Sequence, residues 1–266
     1  MNATAISAPD KYRGKILLLY FSGAGATKKV AELMHEQLSQ SCPVDIFSIE
    51  SCADLAINDY NAMVIGTPVY HAAPPRILTN YFNGIRPLVK AVPTLIYNTR
   101  GLCSLGTNRI LAKQLIKKNI TKIMDTAYRS PASDGSLILP SVKRFFEFEP
   151  GLNQKVAEDC AAFLRLLQTG NTQGYIPPLR FGSVVNAPNK LAGQLIRPRI
   201  HLHREKCTKC GKCLKNCPMG ALDKDEAGNP MATKSKCANC YRCVHNCPNL
   251  ALSLSKRKSI DRVLKY

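Results

Sequence analysis

Short apolar runs alternate with helical stretches along the N-terminal part of the chain. The run ILLLYF after Lys15 is followed by the turn-forming SGAGAT and then by TKKVAELMHEQL, where apolar residues recur every three or four positions. The same pattern places further strands at 44–49, 62–66, 93–98 and 122–128, and helices at 76–83, 108–118 and 154–168. Such alternation predicts a parallel sheet that helices cover on both faces.

Composition divides the chain into two domains. The α/β pattern fills residues 14–169, here called the α/β domain. Gly, Pro and Asn then dominate residues 170–200 without a sustained period, which predicts an extended linker packed on one of the domains. Residues 201–255, here called the cysteine module, contain most of the cysteines, and a basic tail at 256–266 could form a short helix.

Eight of the twelve cysteines lie in two copies of one motif. Residues 207–218 read CTKCGKCLKNCP and residues 237–248 read CANCYRCVHNCP, both of the form C-x₂-C-x₂-C-x₃-C-P. In such runs the first three cysteines bind one [4Fe-4S] cluster and the fourth ligates the other cluster. One predicted cluster therefore takes Cys207, Cys210, Cys213 and Cys247, and the other takes Cys237, Cys240, Cys243 and Cys217.

Zinc is the alternative metal, because Zn²⁺ also accepts four thiolates. Zinc sites usually use two CxxC pairs separated by a loop, whereas three cysteines at successive x₂ spacing suit the corner of a cubane. The four scattered cysteines are interpreted as reduced thiols: Cys42, Cys52, Cys103 and Cys160. The N-terminus lacks a signal-peptide pattern and no apolar run reaches the length of a membrane span, so a cytoplasmic protein is expected.

The SGAGAT segment is a candidate phosphate-binding loop. It lies between a predicted strand and a predicted helix, where free backbone amides and the helix dipole favour an anion. It has neither the Gly-Lys-Ser/Thr of a Walker loop nor the GxGxxG of dinucleotide folds, so the loop alone is weak evidence.

Two segments carry a family resemblance. YFSGAGATKKVAELM resembles the first-strand fingerprint of flavodoxins, and GTPVYHAAPP at 66–75 resembles their second loop, beside the flavin. This resemblance covers about residues 14–168, and the cysteine module is similar to the bacterial two-cluster ferredoxins. The order resembles that of the flavodoxin–ferredoxin fusion proteins of anaerobic bacteria and archaea. It implies a doubly wound α/β sheet of strand order 2-1-3-4-5, a C-terminal α+β ferredoxin-like domain, FMN and two [4Fe-4S] clusters.

The resemblance also implies flavin-binding residues. The FMN phosphate would be surrounded by Ser22, Gly23, Ala24, Gly25, Ala26 and Thr27. The isoalloxazine would be flanked by Thr67, Pro68, Val69, Tyr70 and His71, with a third loop of Asn98, Thr99, Arg100 and Gly101. Flavodoxins commonly have Thr and Asn at the positions of Ala24 and Ala26, so two side-chain contacts to phosphate are missing and a flavin-free scaffold stays open. Tyr70 and Tyr97 are candidate stacking partners, although a tyrosine at a strand end more often only packs.

Charge narrows the function classes. The formal net charge is +19, and two clusters with their thiolates lower it to about +15. Residues 201–266 hold 14 Lys and Arg against 5 Asp and Glu, a net of +9, which favours acidic redox partners. The leading prediction is a carrier of low-potential single electrons between partner oxidoreductases. The alternatives are a flavin-dependent oxidoreductase that reduces a bound small substrate, and a nucleic-acid-binding module, which the dispersed basic residues disfavour. No hydrolytic motif appears and no catalytic residue is assigned.

Overall fold

Five parallel strands form the central sheet of the α/β domain. The structure is a computed structural model that describes residues 12–52, 55–104, 106–178, 200–232, 237–256, 260, 263 and 264. The strands are β1 (Ile16–Tyr20), β2 (Val44–Ser48), β3 (Ala62–Pro68), β4 (Val92–Arg100) and β5 (Ile120–Arg129). Their order across the sheet is β2-β1-β3-β4-β5 and every pairing is parallel. The predicted order 2-1-3-4-5 is confirmed.

Helices bury both faces of this sheet. They are α1 (Ala26–Ser39), α2 (Arg76–Gly84), α3 (Thr107–Leu115) and α5 (Leu152–Gln168), whereas the one-turn α4 (Gly135–Ile138) lies after β5 and packs elsewhere. Ile16 and Leu18 pack in one apolar cluster with α1 and α5, whereas Leu17 and Leu19 pack in another with α2 and α3. All four side chains have 0 % exposure, which explains why β1 reads as an unbroken apolar run. Among the described residues, no helix has both the length and the apolar character needed to span a membrane.

Part of the predicted linker runs along the edge strand β5. The Tyr175 amide donates to the Lys122 carbonyl at 3.0 Å, and the Tyr175 hydroxyl donates to Asp125 Oδ1 at 2.7 Å. The Lys122 ammonium lies over the Tyr175 ring and pairs with Asp125 at 2.6 Å. Tyr175 therefore covers the open edge of the sheet at Lys122, while positions 179–199 of the predicted linker lie outside the described residues.

The cysteine module consists of short elements around its two motifs. Strand β6 (His201–Leu202) pairs antiparallel with β9 (Leu252–Ser253), and β7 (Leu222–Lys224) pairs antiparallel with β8 (Pro230–Ala232). One-turn helices α6 (Lys212–Lys215) and α7 (Arg242–His245) each carry the third cysteine of a motif. The short helix predicted for the basic tail falls mostly outside the described residues.

The first prediction concerns the buried ion pair between Lys122 and Asp125, beside Tyr175. Asp125→Asn leaves the Lys122 ammonium, whose side chain is 1 % exposed, without its anion. Removing one partner of a buried pair costs about 3 kcal/mol or more in the free energy of unfolding. Burial already lowers the pKa of Lys122, so the folded variant binds this proton less readily than the unfolded chain does, and its stability should recover as pH rises toward 10.

Glu32→Gln is the matched control, because it breaks an exposed ion pair: the Glu32 side chain is 51 % exposed and that of its partner Lys28 is 56 % exposed. We expect the free energy of unfolding of this control to fall by about 0.5 kcal/mol or less. Urea unfolding at pH 7 and pH 10 measures both variants. Equal losses in the two variants would show that the Lys122–Asp125 pair is not buried as described.

Candidate functional site

The three loops predicted to bind flavin meet at one edge of the sheet. Residues 22–27 follow β1, residues 67–71 lie at the end of β3, and residues 98–101 lie at the end of β4. The carboxyl ends of parallel strands share one edge, and ligands of such sheets bind there. One cavity lies between the loops, lined by Ser22, Gly23, Ala24, Ala26, Thr27, Pro68, Val69, Tyr70, Thr99 and Gly101 together with residues 130–134.

Hydrogen bonds within the loop and from the core hold the phosphate loop, residues 22–27, in place. Helix α1 begins at Ala26, and Gly25 before it has φ 102°, a left-handed conformation that glycine adopts freely. The Ser22 hydroxyl accepts a hydrogen bond from the Gly25 amide at 3.1 Å. The fully buried Tyr97 donates to the Thr27 carbonyl at 3.0 Å, so its hydroxyl supports the loop from the core.

Five of the predicted flavin residues lie outside this lining. Gly25 lines a neighbouring cavity of about 450 Å³, and His71 follows Tyr70 in a turn. Three others bond to their own loops or strands: Thr67 donates to the Pro68 carbonyl, Asn98 bonds to Asn108 and Ser104, and Arg100 donates to the Leu102 carbonyl. Residues 130–134 were not predicted, although their position after β5, next to β4, was the signal that could have found them.

Tyr70 closes the cavity beside the phosphate loop. It exchanges two backbone hydrogen bonds of 3.0 Å with Ala73, and the residues between them, His71 and Ala72, have φ values of 48° and 61°. Side-chain-bearing residues in this left-handed region cost about 1–2 kcal/mol each, so the turn is strained. The Tyr70 hydroxyl fills the space that a side chain at Gly23 would need, and the remaining cavity is about 40 Å³.

The eight motif cysteines line two separate cavities in the crossed arrangement predicted from the spacing. The outer cysteine site is lined by Cys207, Cys210, Cys213 and Cys247. The inner cysteine site is lined by Cys217, Cys237, Cys240 and Cys243. Each site thus combines three cysteines of one motif with the fourth cysteine of the other. No group of His, Cys, Asp or Glu in the described part of the chain is arranged for a single metal ion.

The sequence repeat is also a backbone repeat. Left-handed residues recur at a spacing of 30 positions, in the pairs 209 and 239, 211 and 241, and 220 and 250. The fourth cysteines are held alike, because the Ala221 amide donates to Cys217 Sγ and the Ala251 amide to Cys247 Sγ, both at 3.2 Å. Such amide–sulfur bonds tune a cluster's potential.

The two cysteine sites differ in burial. Cys210 of the outer site is exposed, whereas Cys240 and Cys243 of the inner site are buried. Burial raises the pKa of the Cys240 thiol to about 11 and that of Cys243 well above its ordinary range. A backbone hydrogen bond from Lys212 lowers the pKa of Cys210. The outer site therefore faces solvent and the inner site faces protein.

The inner cysteine site packs against the loops predicted to bind flavin, above all against the phosphate loop. A side chain at Gly23 would meet the Cys240 carbonyl at 2.7 Å, and Cys240 belongs to the apolar cluster under α2 and α3. Leu137 of α4 packs in the core of the cysteine module. His245 Nδ1 accepts from the Leu264 amide, so its Nε2 donates to the Ser133 carbonyl at 2.8 Å, and burial lowers the pKa of this neutral ring. The two domains thus contact each other at the predicted cofactor sites.

Comparisons with known proteins identify both parts of the chain. A flavodoxin domain model matches residues 17–133 and a 4Fe-4S dicluster domain model matches residues 206–252. No curated protein matches. Among solved structures, rubredoxin oxygen:oxidoreductase from Desulfovibrio gigas aligns at 15 % identity and TM-score 0.46, over 60 % of this chain and 37 % of its own. An archaeal flavodoxin aligns at 12 % identity and TM-score 0.43, over 58 % and 99 %. The two-electron reduced Megasphaera elsdenii flavodoxin aligns at 15 % identity and TM-score 0.39, over 54 % and 98 %.

These domains imply FMN and two [4Fe-4S] clusters, which overturns the zinc alternative. The cysteine sites fit, because each is lined by four cysteines, three from one motif and one from the other. The phosphate loop fits as well, with a helix N-terminus and small side chains. The cavity beside the phosphate loop is too small for the flavin ring as it stands, because its volume of about 40 Å³ is far below the roughly 300 Å³ of a cofactor pocket. Ring binding therefore requires the Tyr70 side chain to turn away from Gly23.

The second prediction tests crossed ligation. Anaerobically purified protein should hold about eight iron per chain, and a chelator should remove it in two phases, the outer site first because it is exposed. Cys217→Ala should alter only the slow phase. Cys247→Ala, the matched change in the other motif, should alter only the fast phase. The assignment is wrong if Cys217→Ala removes the fast phase.

The third prediction concerns the phosphate loop. Ser22→Ala removes the acceptor of the Gly25 amide and should weaken FMN roughly fivefold. Gly25→Val forces a β-branched residue to φ 102° and should abolish binding. Gly84→Ala is the control, since a side chain there has nothing within 4 Å. Fluorescence titration with FMN measures all three, and absence of quenching of the native protein at tens of micromolar would favour the flavin-free scaffold.

Proposed function

Since the chain joins a flavodoxin domain to a 4Fe-4S dicluster domain, as in flavodoxin–ferredoxin fusions, we propose that it is a carrier of single electrons between partner oxidoreductases. When bound, FMN and the two clusters supply low-potential one-electron chemistry. The observation that carries this proposal is the contact of the inner cysteine site with the flavin loops at Gly23. Two redox sites that share one interface suit transfer within the chain.

Different parts of the chain would bind the flavin, shield the inner cysteine site and meet the partner protein. The phosphate loop, above all the backbone of Gly23 and Ala24 and the start of α1, would hold the flavin phosphate. Pro68, Val69, Tyr70, Thr99 and Gly101 would flank the ring, and residues 130–134, which line the same cavity, would lie on its β5 side. The inner site is shielded from water by α4 and α7, whereas the outer site lies at the surface of the cysteine module. The outer site is therefore the end that a partner protein reaches.

A basic rim surrounds the outer site. Lys206, Lys209, Lys212 and Lys224 all line its cavity, and Lys212 and Lys224 are exposed. The Lys209 ammonium donates to the Ala227 carbonyl at 2.8 Å, which fixes its place on the rim. Positive charge around a redox site steers an acidic partner to it and mainly changes the association rate.

The fourth prediction follows from this rim. Reversing Lys212 and Lys224 to Glu should slow electron transfer with an acidic ferredoxin about tenfold or more at low salt, and the native rate should fall as salt shortens the Debye length from about 10 Å at 0.1 M toward 3 Å at 1 M. The control reverses Lys90 and Lys117, which are exposed before β4 and β5 at the opposite edge of the sheet. This control changes net charge equally and should leave the rate within about twofold.

Stopped-flow mixing at several ionic strengths gives these rates, with iron content checked in each variant. Equal slowing by both pairs of reversals would mean that overall charge, not the rim, guides the partner. Saturable turnover of a small substrate by the purified protein alone would instead support the flavin-dependent oxidoreductase.

A further inference from the structure

Arg242 reaches from the cysteine module into the phosphate loop. Its Nη2 donates to the Ser22 carbonyl at 2.6 Å and its Nε to the Gly23 carbonyl at 3.3 Å. The same guanidinium pairs with both oxygens of Glu50 at 2.6 and 2.7 Å, just beyond β2. Only 16 % of the Arg242 side chain is exposed. One side chain between Cys240 and Cys243 thus ties the inner cysteine site to the loop and to the end of β2.

These contacts fix the direction of two backbone amides. In a trans peptide the carbonyl of one residue and the N–H of the next point to opposite sides of the chain. Arg242 holds the carbonyls of Ser22 and Gly23, so the N–H groups of Gly23 and Ala24 must point away from it. An anion at the start of α1 is bound by such amides, and their value depends on being fixed before the anion arrives.

Side chains give this loop little help. Ala24 and Ala26 have no hydrogen-bonding group. The Ser22 hydroxyl accepts from the Gly25 amide and has one proton left to donate, and the Thr27 hydroxyl shares a 2.7 Å hydrogen bond with the buried Thr99 hydroxyl. The phosphate must therefore be recognised mainly by backbone donors, whose orientation the loop does not secure alone. Gly23, which could otherwise rotate freely, is the residue whose carbonyl Arg242 holds.

We propose that Arg242 is a positioning residue for the flavin phosphate: by holding the Ser22 and Gly23 carbonyls it orients the loop amides, and so gives the site its preference for FMN over riboflavin. This inference rests on the proposed role of the phosphate loop. Arg242 acts from the side of the loop carbonyls, through the loop backbone. Its planar fork suits this task, because a lysine ammonium cannot hold two carbonyls and a carboxylate in one plane.

The cysteine repeat supplies a matched control. Lys212 occupies the position of Arg242 in the first motif, between Cys210 and Cys213, and is exposed beside the outer site. Removing its charge alters a motif in the same place but leaves the phosphate loop untouched. Glu50→Gln provides a second test from the other domain, because it removes the anion that orients the guanidinium without altering a cysteine motif.

The experiment measures dissociation constants for FMN and for riboflavin by fluorescence quenching with the full chain after cluster reconstitution, alongside iron content. We expect Arg242→Ala and Arg242→Lys each to reduce the preference for FMN over riboflavin about tenfold, and Glu50→Gln about threefold. Lys212→Ala should leave the preference within twofold of the native value. Riboflavin affinity should change little in all four, because it lacks the phosphate.

Each outcome has a separate meaning. Equal weakening of FMN and riboflavin would show that Arg242 only holds the domains together, and an unchanged preference in Arg242→Ala and Glu50→Gln would overturn the proposal outright. If Arg242→Ala loses iron, the flavin preference of Glu50→Gln decides whether the proposal stands, because that variant alters no cysteine motif. Native protein that binds neither flavin would instead contradict the proposed flavin site itself.

Discussion

The contact between the second cysteine motif and the phosphate loop is the constraint on which the other features depend. It exists because a parallel sheet brings the ends of β1, β3 and β4 to one edge, and because Gly23 has no side chain to keep the Cys240 carbonyl away. Arg242 adds charge-assisted hydrogen bonds to the carbonyls of the phosphate loop. Because its side chain is largely buried, leaving the guanidinium without these partners would be costly. The loops predicted to bind flavin are thereby also part of the contact between the two domains.

This interface gives different surroundings to two motifs that have the same cysteine spacing. The same spacing and the same left-handed backbone positions recur in both, yet one motif meets solvent through Lys212 and the other meets the α/β domain through Arg242. The inner cysteine site accordingly lies among Tyr241, Leu137 and Val244, in a region of low polarity. Cluster potentials respond to solvent exposure and nearby charge, so the two sites should differ in potential although their ligands do not.

Local patterns predicted the sheet well and the interface not at all. The alternation of apolar runs fixed five strands, and the structure extends the fifth from the predicted 122–128 to Ile120–Arg129. The helix predicted at 108–118 ends at Leu115 and continues as a 3₁₀ turn, which ends where Asn119 adopts φ 58°. Glu50 and Arg242 carried no local signal, since their roles arise only when distant segments dock, and residues 130–134 carried only the topological signal of following β5. The cysteine spacing, by contrast, encodes its own geometry, and so the crossed cavities could be anticipated.

The central claim is that the inner cysteine site of the loaded protein lies on the phosphate loop. An anomalous-scattering map of the iron atoms in crystals of the reconstituted protein tests this directly. We predict two groups of four iron atoms, with the group bound by Cys217, Cys237, Cys240 and Cys243 adjacent to Gly23 and the other group beyond it near the surface. Finding the Cys207 group next to Gly23, or both groups away from the phosphate loop, would contradict the account.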